Sequence, residues 1–109
     1  LSGGNEHVIS VADNCLLGAN AGIGISLGKG CTVEAGLYIT AGMKISLVDE
    51  EDRPINLEDE RVEEGQNIFK AMQLSGREYC LFIRDSRTGQ ILCKPNKKII
   101  ELNKSLHAN

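Results

Sequence analysis

Aliphatic side chains return every six residues between positions 11 and 45, and this period constrains the fold more than any other feature of the chain. Val11, Leu17 and Ile23 hold one register, and Leu27, Val33, Ile39 and Ile45 hold a second. Small or apolar residues stand four places further on, at Cys15, Ala21, Cys31, Leu37 and Met43. A helix repeats at 3.6 residues and a strand alternates at 2.0, so neither produces a period of six. A chain that turns a corner every six residues does, and three corners predict a triangular coil of about 18 residues. The aliphatic at each repeat start points inward and stacks on its equivalent in the next coil. Asn14, Gly18, Asn20, Gly28, Gly30, Gly36, Thr40 and Gly42 lie between them. Gly and Asn accept the positive φ that corners demand. The phase slips by two between Ile23 and Leu27, which marks a short side or a small loop within 22–26.

A coil of this kind shares burial between layers and so needs few rings. The composition agrees, with aromatics at 4%, no Trp and 12 Gly in 109 residues. Hydrophobic content of 41% and charged content of 25% are ordinary for a soluble domain. No apolar run approaches the ~20 residues that span a bilayer, which excludes a membrane-spanning helix. The chain starts at Leu1-Ser2-Gly3-Gly4 without an initiator Met or a secretory signal, so it is expected to begin inside a longer reading frame. Only about two coils are present, and raw solenoid ends expose backbone donors and apolar side chains. Further coils are therefore expected upstream, and a cap downstream.

Charge divides the chain further. Residues 1–45 carry net −1, residues 46–64 net −7 and residues 65–109 net +5. The middle block, with Pro54, reads as a solvated loop or poorly ordered excursion. A short helix is expected over 57–73, with Val62, Ile68, Phe69 and Met72 partly buried, ended by Leu74-Ser75-Gly76. Tyr79 to Arg84 has strand composition, 85–89 reads as a turn and Gln90 to Lys94 as the returning strand. Lys98 to Leu102 is expected to add a third strand. The fold is thus expected to be all-β, a parallel β-helix of such coils over 1–45. An acidic loop with a possible short helix follows over 46–73, and a C-terminal β-hairpin cap and tail over 74–109.

Cys15, Cys31, Cys80 and Cys93 show no CxxC spacing, which argues against structural zinc, and they read as buried reduced thiols. His7 precedes the clear repeats and His107 lies in the tail. Neither is placed as the catalytic His of a serine or sugar acetyltransferase, nor as a zinc ligand of a γ-type carbonic anhydrase. The basic C-terminal third can be a solvated face or can meet a phosphorylated ligand.

Two stretches narrow these readings. Asn14-Cys15-Leu16-Leu17-Gly18-Ala19-Asn20-Ala21-Gly22-Ile23-Gly24-Ile25-Ser26-Leu27-Gly28 and Val33-Glu34-Ala35-Gly36-Leu37-Tyr38-Ile39-Thr40-Ala41-Gly42 closely resemble tetrahydrodipicolinate N-succinyltransferases. So do Leu1 to Gly4, Leu74-Ser75-Gly76 and Leu102 to Asn109. The resemblance covers nearly all of the chain except the acidic block. It implies a cytoplasmic homotrimer of left-handed β-helices, with active sites between subunits. Such an enzyme transfers succinyl from succinyl-CoA to the amino group of ring-opened tetrahydrodipicolinate, in lysine and diaminopimelate synthesis. No tightly bound cofactor, metal, nucleic acid or membrane partner is implied.

The positions that match the family's succinyl-CoA contacts are Ala19, Glu34, Ala35, Gly42, Lys70 and the run Ile83, Arg84, Asp85 and Ser86. The run departs from the family's Arg-Arg-Asn-Ser at Ile83 and Asp85. Small residues at Ala19, Ala35 and Gly42 suit the close approach of a pantetheine arm, into which a Cβ at Gly42 would intrude. Lys70 and Arg84 suit CoA phosphates. Glu34 suits a ligand donor, although each charged position also reads as surface charge. No acid here matches the family's catalytic acid, so the base is expected upstream and the chain alone is expected to be nearly inactive. The alternatives are another hexapeptide acyl-CoA N- or O-acyltransferase, or a non-catalytic trimerisation module.

Overall fold

The computed structural model describes residues 8–101. The repeat forms parallel coils of 16 residues, not 18. Val11 bridges Leu27. Strand β1 (Leu16–Leu17) pairs in parallel with β3 (Thr32–Val33), and β2 (Gly22–Ile23) with β4 (Tyr38–Ile39). Every partner is 16 positions away, so the phase slip is a short side and not a loop. The corners repeat at the same interval. Asn14 and Gly30 take φ of 64° and 72°, and Asn20 and Gly36 take 61° and 79°. Asn tolerates this left-handed conformation better than other residues with a Cβ, and Gly adopts it freely.

Inward stacking is complete only in the second register. Leu27, Val33, Ile39 and Ile45 are buried, and Ile23 is half-buried. Val11 and Leu17, expected inside, are 47% and 41% exposed, because among the described residues each is covered by a coil on one side only. Ile25 and Leu37 complete this layer of the core.

After β4 the chain leaves the coil. Strand β5 (Lys44–Leu47) enters a six-stranded sheet of order β1-β3-β7-β8-β5-β6, with β6 at Ile68–Lys70, β7 at Cys80–Arg84 and β8 at Ile91–Pro95. β7 and β8 form an antiparallel hairpin. β7 also lies parallel on β3, with Val33 opposite Phe82, and so adds a third layer to that side of the coil. The residues before it supply a layer on the adjoining side, where Gly76 N–H donates to Ser26 O at 2.9 Å and Tyr79 N–H to Lys29 O at 2.7 Å. Phe82, the largest fully buried side chain, sits in this layer with Cys31, Cys80 and Cys93.

Two expectations for the second half are corrected, and a third is narrowed, since the acidic block is the loop expected there. The acidic block is ordered. Asp49 Oδ1 accepts the N–H groups of Glu51 and Arg53, and seven residues on Asn56 Oδ1 accepts those of Glu58 and Glu60. Asp52 and Asp59 hold positive φ at the same place in each turn. Side-chain acceptors thus add Asx bonds to two successive turns that the Asp49 and Asn56 carbonyls also close, each accepting a backbone N–H at 3.0 Å, from Asp52 and Asp59. The block is tied down by Lys94 Nζ to Asp52 Oδ1 at 2.6 Å and by Arg77 to Asp59. No helix occupies 57–73. Pairing of Ile68–Lys70 with β5 overrides local propensity, and one 3-10 turn (Ala71–Leu74) follows. Within that stretch Val62 and Phe69 are half-buried, whereas Ile68 and Met72 are exposed. Residues 97–101 turn helical instead of forming a third strand. Asn96 N–H donates to Tyr79 O at 2.8 Å, the last bond of the hairpin ladder, and the chain turns away after it.

Candidate functional site

The nine positions matched by resemblance fall into two groups. The first gathers at one corner of the coil. Ala19 and Ala35 are one coil apart, and Gly36 N–H donates to Ala19 O at 2.8 Å. The layers touch so closely there that a Cβ on Gly18 would stand 2.5 Å from Ala35 N. Glu34 begins the same corner, and its N–H donates to Phe82 O at 3.0 Å. Its carboxylate Oε1 accepts the Arg84 N–H at 3.0 Å, which brings the hairpin turn to this corner. Ile83, Arg84, Asp85 and Ser86 line a cavity of about 700 Å³ together with Asp52, Pro54 and Glu64 of the acidic block.

The side chains of this run divide by task. Arg84 folds one guanidinium N–H onto Gly89 O at 3.0 Å. Asp85 turns inward on its own loop, where Oδ1 accepts the Arg87 N–H at 2.9 Å. That amide, with the Arg87 charge, holds the Asp85 carboxyl below its usual range. Asp85 therefore fixes the turn. Ser86 is exposed, and Ile83 is half-buried in the wall.

The second group lies at the next corner. Gly42 follows β4, and the 3-10 turn docks against its neighbours, Ala71 N–H donating to Met43 O and Met72 N–H to Ala41 O. A Cβ on Gly42 would meet nothing within 4 Å in this chain. The expected intrusion therefore concerns only something bound from outside. Lys70 ends β6 directly opposite Lys44 on β5. Both are exposed, and among the described residues neither is in an ion pair. Like charges directly opposite on a sheet repel, so this pair favours an anion. Sequence reasoning missed Lys44, because its partner strand reads locally as helix. Arg84 and Lys70 stand three strands apart, about 14 Å along the sheet at ordinary strand spacing. They serve different parts of any one ligand.

Between the two corners runs β4. It is an edge strand of its two-stranded sheet. Leu37 O and Ile39 O accept from Gly22 and Gly24, so the alternation of a parallel ladder directs the N–H and C=O of Tyr38 away from β2. Tyr38 is 60% exposed. The cysteines stand apart from this edge. All four are free, and Cys31, Cys80 and Cys93 are buried. Cys31 is pushed well above the usual thiol range, first by its hydrogen bond with Cys80 and then by burial. Cys80 is pushed up too, because the bond to Cys93 and burial outweigh the lowering effect of Cys31. Neither is a nucleophile in this state. Among the described residues no group of His, Cys, Asp and Glu can hold a metal ion, and both histidines lie outside them.

Comparison with known proteins fits this architecture. The family model described as the hexapeptide repeat of succinyl-transferase matches residues 8–41, the coils themselves. Over residues 8–41 the chain thus carries a repeat like that of the succinyl-transferases. The left-handed parallel β-helix belongs to that repeat. Curated relatives extend the match beyond the coils, through the acidic block and the hairpin. It is 50% identical over all 109 residues to the 2,3,4,5-tetrahydropyridine-2,6-dicarboxylate N-succinyltransferase of Pseudomonas aeruginosa, of which it covers 28%. It is 47% identical to the enzyme of that name from Vibrio cholerae, of which it covers 29%. Over 108 residues it is 42% identical to that of Helicobacter pylori, covering 27%. A crystal structure from Campylobacter jejuni, described as a 2,3,4,5-tetrahydropyridine-2-carboxylate N-succinyltransferase, superposes with a TM-score of 0.72 at 36% identity. The match covers 92% of this chain and 26% of that one. The chain thus spans just over a quarter of the length of the relatives it matches.

Proposed function

We propose that this chain is the acyl-donor-binding, C-terminal part of a tetrahydrodipicolinate N-succinyltransferase. The whole protein transfers succinyl from succinyl-CoA to the amino group of ring-opened tetrahydrodipicolinate, in the service of lysine and diaminopimelate synthesis. One observation carries the reading: the open edge of β4 lies between the two corners that hold the matched residues. An extended arm carrying amides can add to such an edge as a further strand would, bonding the outward N–H and C=O of Tyr38. The corners that flank it, at Ala35-Gly36 and at Gly42, present little or no side chain to an approaching ligand. A Cβ on Gly36 or Gly42 meets nothing in this chain.

The charged groups then take the ends of the donor. Lys70, with Lys44 beside it, binds a phosphate at one corner, and Arg84 binds another polar group at the hairpin. Ile83 and Asp85 add no cation, so Arg84 and the nearby Arg87 carry the positive charge of that turn. The hairpin closes the end of the coils. Thioester aminolysis also needs a base for the amine, and that group is supplied from the remainder of the protein. The protein works in the cytoplasm as a homotrimer, with sites between subunits. Among the described residues no helix is long and apolar enough to cross a membrane.

Calorimetric titration of the full-length protein with succinyl-CoA tests this reading. Gly42→Val puts a side chain where this chain has only space, so it should leave the fold intact and weaken binding by at least about tenfold. Lys70→Ala should weaken binding as well. Unchanged affinity in both variants would place the donor elsewhere.

A further inference from the structure

Glu34 sits where a parallel ladder ends before the ladder's bonds do. Thr32 and Val33 pair with Leu81 and Phe82, and the next rung begins normally, with Glu34 N–H donating to Phe82 O at 3.0 Å. In a parallel pair that rung is completed when the carbonyl of the same residue accepts the N–H two places further along the partner strand. Here that donor is Arg84 N–H. The Glu34 carbonyl is directed elsewhere: the chain turns at Gly36, and this carbonyl accepts Leu37 N–H at 3.2 Å and not Arg84 N–H. The Glu34 carboxylate takes its place, and Oε1 accepts Arg84 N–H at 3.0 Å. The bond lies at the joint between coil and hairpin turn. Beyond it, Asp85 N–H is held by Gln90 O within the hairpin itself.

We propose that Glu34 is a positioning residue. Its carboxylate substitutes for its own carbonyl in the ladder, and so sets where Ile83, Arg84, Asp85 and Ser86 stand relative to the Ala35 corner. This rests on the donor-binding reading given above, and it changes the part Glu34 plays in it. The carboxylate holds the protein's own amide and is not a contact to the donor. The role requires an acceptor at Oε1 and not a charge, so glutamine can fill it. Alanine cannot.

The test uses the full-length protein with Glu34→Ala, Glu34→Gln and Lys70→Ala, and two readouts. Amide hydrogen exchange reports the bond itself. Glu34→Ala should speed exchange of the Arg84 amide by about tenfold or more, as expected when a bonded edge amide opens to solvent. Glu34→Gln should leave it near the wild-type rate. Steady-state kinetics report the consequence. Glu34→Ala should raise KM for succinyl-CoA by about fivefold to tenfold with kcat within about twofold, the pattern of lost uniform binding. Glu34→Gln should restore KM. An Arg84 amide that exchanges no faster in Glu34→Ala overturns the proposal. So does a Glu34→Gln variant as impaired in KM as Glu34→Ala, which would make the charge a donor contact. If Lys70→Ala raises KM while Glu34→Ala does not, the positioning role fails and the donor-binding reading stands. If neither variant changes KM, the donor-binding reading has failed and the proposal goes with it.

Discussion

Replacing Gly28 by alanine drives a methyl group into the segment before β7 that covers this side of the coil. The added Cβ would lie 2.5 Å from Gly76 O and 2.7 Å from Arg77 O. Ordinary contact begins near 3.4 Å, so the two segments must separate by up to about 0.9 Å. Neither carbonyl can swing away as a flexible side chain would, since both belong to the backbone of the layer. Gly76 N–H is bonded to Ser26 O and Tyr79 N–H to Lys29 O, and Cys31 Sγ donates to Arg77 O at 3.2 Å. Overpacking typically costs about 1–3 kcal/mol, and loosening one of these hydrogen bonds adds about 1. Gly28→Ala should therefore destabilise the full-length protein by about 2–4 kcal/mol in urea denaturation followed by circular dichroism. Gly42→Ala, whose Cβ meets nothing, is the control and should stay within about 0.5 kcal/mol. A Gly28→Ala variant as stable as wild type would show that residues 74–79 do not lie on this side of the coil.

Three further outcomes follow from other parts of the molecule. Asn96 is buried, and its Nδ2 donates at 2.9 Å to both Gly30 O and Thr32 Oγ1; Asn96→Ala strands those acceptors and should cost about 1–3 kcal/mol in the same denaturation assay. The Asp49 carboxyl is lowered from 3.8, first by the Arg53 N–H it accepts. Its contribution is therefore present above the unfolded value, and is lost as pH falls below 3.8 through the folded value. Amide protection at Glu51 and Arg53 should fall in that acid range, and Asp49→Asn should remove the pH dependence. Thiol titration of the native protein should modify half-buried Cys15 first, with Cys31, Cys80 and Cys93 reacting only on unfolding; reaction of Cys31 or Cys80 at the rate of Cys15 would contradict their burial.

The coil was legible because a period of six suits neither a helix nor a long strand. Asn14 and Asn20 also marked corners correctly, each one coil from a glycine that repeats its positive φ. The strand–turn–strand pattern over 79–94 was local and could be read from composition. What lay beyond the sequence was nonlocal. Nothing in Ile91 to Pro95 says that it runs parallel to β5, or in Cys80 to Arg84 that it continues the ladder of β3. The apolar residues of 57–73 suggested a helix because β5, the partner that draws Ile68–Lys70 into a strand, is some twenty residues away. The acidic block misled through its charge. Its signal was the placing of Asp49 and Asn56, seven residues apart, each able to accept amides two and four positions ahead. The site residues came from resemblance. The structure adds that they occupy two corners joined by one open strand edge, and that Lys44 stands beside Lys70.

The central claim is that an extended acyl donor adds to the edge of β4. Amide hydrogen exchange at Tyr38 in the full-length protein, with and without saturating succinyl-CoA, tests it most directly. The Tyr38 N–H, turned outward in the free protein, should become protected by about tenfold or more when the donor binds. Saturated protein in which Tyr38 exchanges as fast as in the free form would contradict the claim.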